Sequence, residues 1–550
     1  MASDKKERNI VIESIAVVVT ALIICVLRYV IGEERIISKA VLAFLFITVV
    51  GILGVSVSIY APSGIKNLLR GKPVEKFLYA QFSDTFLFWN IFALIVLSYV
   101  PAYLALFPGI CGYDNPSQIV QFLGMEPLSA ANPLLHTFLV GALVSLGKAI
   151  TGSYTFGFGM YIFVQWFIIA AVMARSIIFL KRRGASIFVM IIGILFFMFS
   201  PFLQILTFNS TKDILFAASL LAFTMAIADA LFEIKKSGQV TKKKAIELFI
   251  STLLICLLRN PGKFIIIVIA IMLLILGYRK LNMYIALGAA LVITILVSVI
   301  SSALFHIEKS PDKENMSVMI QQLGMVGSIA LENRELVDIS DEDLELLTSY
   351  FDVNTLLSVR DYTTADPYKA AFFESKYKEN PLKFISLWMR VGNTNKKIYR
   401  NAFGTLVCPY YAMTGSGNMY IGLSMMVPLS GVLDNHGIEI KQETKLKNYR
   451  DYLVNYINGD SVPYFLQPVF GLWCVIILLV KSIVAKKKEA TVICIPLLIY
   501  IIGIFFGPVA LLRYAYPIYI CLPLIFGMIF AKEKKNKNKN KRRNKDAGSF

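Results

Sequence analysis

Apolar residues run along most of this chain in windows long enough to cross a bilayer as helices, about twenty residues each. Such windows predict spans near 10–31, 37–58, 84–106, 155–180, 187–206, 213–232, 245–260, 263–278, 283–305, 464–484, 489–508 and 512–531. A thirteenth apolar stretch, 134–149, is only sixteen residues long, short for a span. One long hydrophilic block, 306–463, interrupts the series.

The cations orient these windows, because loops on the cytoplasmic side carry the excess of Lys and Arg. Lys5, Lys6 and Arg8 put the N-terminus inside, and basic clusters recur at 66–76, 181–183, 235–244, 279–280 and 486–488. If 134–149 crossed, Lys181, Arg182 and Arg183 would fall outside and every later cluster would invert. The segment is therefore expected to dip into the outer leaflet or lie along it. The predicted fold is an all-α, multi-pass membrane protein with about 12 transmembrane helices, a non-spanning helix after the first large outer loop, and both termini cytoplasmic.

The block at 306–463 falls on the outside. It shows a helical pattern around 316–331, a helix start at Ser340 with Asp341, Glu342 and Asp343 in the first turn, and helical periodicity around 381–391 and 444–457. The expected organisation is a two-span segment (1–83), a membrane module (84–305) with an outer loop at 107–154, an external, mainly helical domain (306–463), three closing spans (464–531) and a tail (532–550).

Composition supports this class: 57% of the 550 residues are hydrophobic and only 17% charged. The net charge of +19 is unevenly spread, and 532–545 holds nine Lys or Arg against one Glu. Directly after a span, that run is expected to lie on anionic membrane lipids rather than on nucleic acid. The first apolar stretch is too long for a signal-peptide core and has no small-residue cleavage site. Of seven Cys, five lie in apolar segments, while Cys111 and Cys408 lie in the two outer regions, where sequence leaves their pairing open. The three His, at 136, 306 and 436, have no zinc-ligand spacing.

Candidate chemistry begins in the stretch 108–136. No Lys or Arg occurs from Phe77 to Gly147, yet Asp114, Asn115, Gln118, Glu126, Asn132 and His136 crowd beside a span. Asp114 sits in Gly112-Tyr113-Asp114-Asn115-Pro116. The plain reading is a helix cap, but Pro116 at the first helical position would make Asn115 the cap and leave the Asp114 carboxylate for another task. His136 opens the short apolar helix, where a lone His is more often structural. Lys212 and Asp213 stand at an outer span boundary, as an interfacial pair or as chemistry. Arg259-Asn260-Pro261-Gly262-Lys263 is a tight outer hairpin with two cations against the positive-inside bias. Its anion is a phosphate or, more plainly, a carboxylate such as Asp213. Taken together, these groups suit a substrate with a membrane-buried tail and a phosphate head. A carboxylate takes the proton of an acceptor hydroxyl, while cations stabilise charge on the leaving phosphate.

In this order of features the chain resembles the GT-C superfamily of integral-membrane glycosyltransferases. Those enzymes carry an acidic residue in the first large outer loop, followed by a Pro-containing helix that lies at the membrane. Asp114 and the run Asn132-Pro133-Leu134-Leu135-His136-Thr137 match these features. The chain is also similar to a bacterial family of about twelve-span proteins with Tyr-Asp, Pro-x-x-His-Thr, Lys-Asp and Arg-Asn-x-Gly motifs, over 84–305 and the outer block. The resemblance implies a bacterial cell-membrane enzyme that moves a sugar from a polyprenyl-phosphate donor to a cell-envelope acceptor. Asp114, His136 and Asp213 would be catalytic, Lys212, Arg259 and Lys263 would hold phosphate, and Tyr113, Asn115 and Asn260 would support them. Two positions depart from the superfamily: Asn115 stands where a second acid is common, and Asn132 where His or Lys is more typical. The sequence leaves a divalent metal and the oligomeric state open. The competing readings are a flippase for lipid-linked glycans and a non-catalytic envelope assembly protein. Against the first, no inverted repeat is evident and membrane-embedded acids are scarce.

Overall fold

The computed structural model describes residues 82–112, 114–359, 362–411, 430–458, 468–484 and 486–530. The spans expected near 10–31 and 37–58, Tyr113 and the basic tail lie outside the described residues.

Those residues are helical, with only isolated β-bridges between loops. Six helices are long and apolar enough to cross a bilayer: Asp84–Leu106, Leu134–Thr151, Tyr154–Arg182, Lys212–Ser237, Leu281–Phe305 and Leu512–Ile529. Gly262–Ile275, Val469–Val484 and Ala490–Ile504 are apolar but shorter. The window predicted at 187–206 is a bent pair, Ile187–Phe199 and Pro201–Thr207, turned by 55°. Pro201 cannot donate a backbone hydrogen bond into the preceding turn. Instead Ser200 restarts the helix, its Oγ accepting from Leu203 N at 3.4 Å.

Lys212–Ser237 is the hub, with 89% of its apolar window buried. It packs against the Tyr154–Arg182, Lys242–Leu258, Lys488–Ile504 and Tyr516–Phe530 helices. Small residues on its faces (Ala217, Ala218, Ser219, Ala226, Ala228 and Ala230) let these neighbours approach closely. The Ser219 and Thr224 hydroxyls return to the carbonyls of Leu215 and Leu220, so neither is orphaned in the core.

Ion pairs and a hydrogen bond gather the basic clusters at 181–183, 235–244 and 279–280 at one end of the bundle. Lys181 and Arg182 hold Asp84 at 2.9 and 2.7 Å, Arg183 meets Asp229, and Asn282 donates to Val240 O at 3.0 Å. At the other end lie the 107–133 loop and the starts of the Lys212 and Gly262 helices. Leu134–Thr151 meets the first turns of Tyr154–Arg182: His136 reaches Tyr161, and Gly147 touches Gly157.

The block expected as one domain at 306–463 divides into two parts. Met316 to Ala402 has its own core, with Tyr350, Phe372 and Phe384 rings in contact. It joins the bundle through Glu308 N to Leu128 O and Ala365 N to Pro508 O, both at 2.8 Å. Leu406, Tyr410, Leu433, Ile438 and Leu453 belong instead to the core of the bundle. There, Glu443 N and Lys445 N donate to Phe107 O and Leu104 O at 3.0 and 2.9 Å. Cys111 and Cys408 are not joined in a disulfide.

Candidate functional site

Two loops far apart in sequence are zipped together and fix the position of Asp114. Ile110 N donates to Phe208 O at 2.8 Å, and Ser210 N and Oγ both reach Ile110 O at 3.0 Å. Asn115 Nδ2 donates to Ser210 O at 3.2 Å. Gly109 permits this approach: its φ is +125°, and a Cβ there would fall 2.5 Å from Ile162 Cγ1.

The helix Asn115–Phe122 has Pro116 in its first turn, which corrects the sequence expectation by one position. Asp114, not Asn115, is the cap residue, yet its carboxylate caps nothing. It accepts from Lys212 Nζ at 2.8 Å, and Lys212 also donates to Asn132 Oδ1 at 3.1 Å. A position suited to local capping is thus spent on a long-range ion pair.

Asp213, one residue on, is 1% exposed and faces the other way. It pairs with Arg259, and Arg513 Nε lies 3.5 Å from its second oxygen. Asp213 is therefore the carboxylate that the Arg259 hairpin meets within the chain. Arg259 is caged by the rings of Phe216, Tyr500 and Tyr514, with centroids 5.4, 5.3 and 5.2 Å from its Cζ. The hairpin is tight because Gly262 passes over Ile255, where a Cβ would fall 2.4 Å from a carbonyl oxygen. Asn260 Nδ2 donates to Ala130 O at 3.0 Å and ties the hairpin to the Asp114 loop. Lys263 stands beside it, half-buried, with no ion pair among the described residues.

Asp114, Lys212, Asp213, Arg259 and Asn260 therefore converge, and Arg513, Tyr500 and Tyr514 join them. Sequence reasoning missed Arg513 by absorbing it into the last span. The rule that singled out Arg259, a cation at the end where cations are scarce, would have found it.

Three cations (Lys212, Arg259 and Arg513) face two carboxylates, leaving one positive charge over. Burial alone would raise the Asp114 carboxyl, but the charges of Lys212 and Arg513, with the Lys212 hydrogen bond, hold it down at about 2. The side chain is densely surrounded by protein yet 46% exposed, so its oxygens remain open to a reactant. Nearby, Asn209 Nδ2 and Thr211 Oγ1 are buried with no hydrogen-bond partner among the described residues, as expected where a polar ligand or water completes a site. The donor set does not fit a divalent metal. No three His, Cys, Asp or Glu side chains come together among the described residues, and both Asp114 and Asp213 turn to cations.

His136 has a different setting. It is fully buried, with Nδ1 3.0 Å from Gln118 Oε1 and Nε2 2.8 Å from the Tyr161 hydroxyl. Tyr161 donates to Gln165 at 2.7 Å, and Gln165 reaches the carbonyls of Thr207 and Asn209 at 2.8 Å. Both ring nitrogens are used, and the chain ends on the loop that presents Lys212. This is the geometry of a positioning residue. His136→Ala is expected to lower stability by about 1–3 kcal/mol, the usual cost of orphaned buried partners. Turnover should fall less than in Asp114→Asn. Denaturant titration beside initial rates separates the two effects; loss of turnover at full stability would make His136 catalytic.

A family model described as a family of unknown function (DUF6020) matches residues 125–544. The match takes in Lys212, Asp213, Arg259 and Arg513, and begins eleven residues after Asp114. No curated protein and no solved structure matches the chain.

Proposed function

The chain belongs to this family of unknown function, so its activity has to be read from the site, and we propose that it is a membrane glycosyltransferase of GT-C type. It would transfer a sugar from a polyprenyl-phosphate donor to a cell-envelope acceptor on the outer face of a bacterial cell membrane. The observation that carries this reading is the junction at Lys212 and Asp213. Adjacent residues at the mouth of the most buried membrane helix bind a half-exposed carboxylate on one side and two guanidinium groups on the other.

In this reading the acceptor hydroxyl oxygen attacks the anomeric carbon, and the bond from that carbon to the phosphate oxygen breaks. The electron pair leaves with the polyprenyl phosphate, and the hydroxyl proton passes to Asp114 and on to water. Lys212, Arg259, Lys263 and Arg513 stabilise the growing phosphate charge. A carboxylate held at about 2 is a weak base. A phosphate that draws Lys212 away would remove the largest charge holding Asp114 down and raise its basicity when the donor is bound. Asp213 fixes the two guanidinium groups, while Asn115 and Asn260 bind the loops together.

Twelve spans with both termini cytoplasmic fit this reading, since the described basic clusters meet at the end opposite Asp114. The course of Leu134–Thr151 supports a non-spanning helix. It is long enough to cross, but the contacts it makes at Gly157 and Tyr161 lie in the first turns of its neighbour, away from Lys181 and Arg182. The 316–402 unit then sits over the site on the outer side, a suitable place to receive a polymeric acceptor.

The test is purified full-length protein in lipid discs given a polyprenyl-phosphate sugar labelled in the sugar. Acceptor-dependent release of polyprenyl phosphate is the expected result. Transbilayer movement of the intact donor without release would point to a flippase instead.

A further inference from the structure

A cavity lies at the opposite end of the bundle and takes no part in this chemistry. It is a crevice of about 370 Å³ between the Asp84, Tyr154, Lys212 and Lys242 helices. Arg175, Arg182 and Lys243 line its mouth, and Phe88, Phe179 and Met225 line its wall.

Charge is unbalanced here. Asp84, Asp229 and Glu247 are the carboxylates, set against Arg175, Lys181, Arg182, Arg183, Lys243 and Lys244. Each carboxylate already has two cations: Asp84 holds Lys181 and Arg182, Asp229 holds Arg183 and Lys244, and Glu247 holds Arg175 at 3.0 Å and Lys244 at 2.9 Å. Lys243 has no ion pair among the described residues. Arg175 and Arg182 keep 51% and 60% of their side chains exposed, so the three cations at the mouth can turn to a further anion.

Depth is set by the first described helix. Phe86 and Trp89 project outward beside the crevice, at the level where aromatic side chains mark the edge of a bilayer. A cationic mouth over an apolar wall at that depth fits an amphiphile with an anionic head. We infer that this crevice binds the phosphate headgroup of an anionic phospholipid, with Arg175, Arg182 and Lys243 around the phosphate and an acyl chain along Phe88 and Phe179. A free phosphate would satisfy the cations but leave the apolar wall unused.

The test compares the full chain in discs of phosphatidylcholine, in discs with added phosphatidylglycerol, and in phosphatidylcholine discs with inorganic phosphate. Phosphatidylglycerol should raise the melting temperature, and native mass spectrometry should find it retained. Arg182→Gln with Lys243→Gln should need at least tenfold more phosphatidylglycerol for the same shift. Every carboxylate keeps a cation in that variant, and Lys243→Gln alone, which breaks no ion pair, should give a smaller change in the same direction. An equal lipid response in wild type and both variants would overturn the inference, and so would a shift reproduced in full by inorganic phosphate.

Discussion

Asp114→Asn is expected to reduce sugar transfer by about 100- to 10,000-fold, the range for removing a positioned acid or base, with the protein still at normal levels in the membrane. The substitution keeps the size of the side chain and an oxygen for Lys212, so the loop joined at Ile110 and Ser210 should stay in place. What is lost is, among the described residues of the cluster, the one group that is both anionic and open to a reactant. Lys212→Gln should behave differently. With Lys212 gone, burial still raises the Asp114 carboxyl and only Arg513 remains as a major opposing charge, so its pKa should rise from about 2. In wild type no acid limb from Asp114 should appear above about pH 4; in Lys212→Gln that limb should move up. The stability linkage has a matching sign. A folded pKa below the carboxyl's ordinary value of 3.8 adds stability above that value, which is lost as pH falls towards 2. The pH profile of kcat/KM for the three proteins checks this, and full activity in Asp114→Asn would remove Asp114 from the mechanism.

The difference between what the sequence discloses and what it hides follows the range of each interaction. Span positions are local: hydrophobic windows found the 84–106, 154–182, 212–237 and 281–305 helices to within a few residues. Caps are also local, and Ser340 accepts from Asp343 N as its pattern predicts. Charge bias reaches a little further, because a bilayer sorts cations by side, and that sorting picked out Lys212 and Arg259. Pairing is another matter. Nothing near Arg259 shows that Phe216, Tyr500 and Tyr514 will surround it, since those rings come from three other segments. His136 entered the site through the resemblance, although a lone His on an apolar helix reads more simply as structural. Its partners Gln118 and Tyr161 look ordinary until the chain folds. The block at 306–463 read as one domain because its polarity is continuous, although its last third completes the bundle core.

Asp213→Ala should be the most destabilising single change at the site, by about 3–5 kcal/mol, the range for removing one partner of a buried ion pair. The carboxylate is 1% exposed and stands between Arg259 and Arg513. Without it two guanidinium groups face each other beside aromatic rings, and Asp114, already paired with Lys212, is left to offset them. Arg259→Gln should be milder, because Asp213 keeps Arg513 and the variant loses one buried charge. Asp213→Ala with Arg259→Gln should therefore lose less than the sum of the single changes, and a double-mutant cycle from denaturant titrations in detergent measures that coupling. The same variant separates a structural ion pair from a phosphate site. If these cations hold the donor phosphate, polyprenyl phosphate should restore part of the stability lost in Asp213→Ala, by supplying the anion the protein no longer provides. A variant as stable as wild type would sink the ion-pair argument, and a destabilised variant indifferent to polyprenyl phosphate would leave Arg259 and Arg513 as structural cations alone.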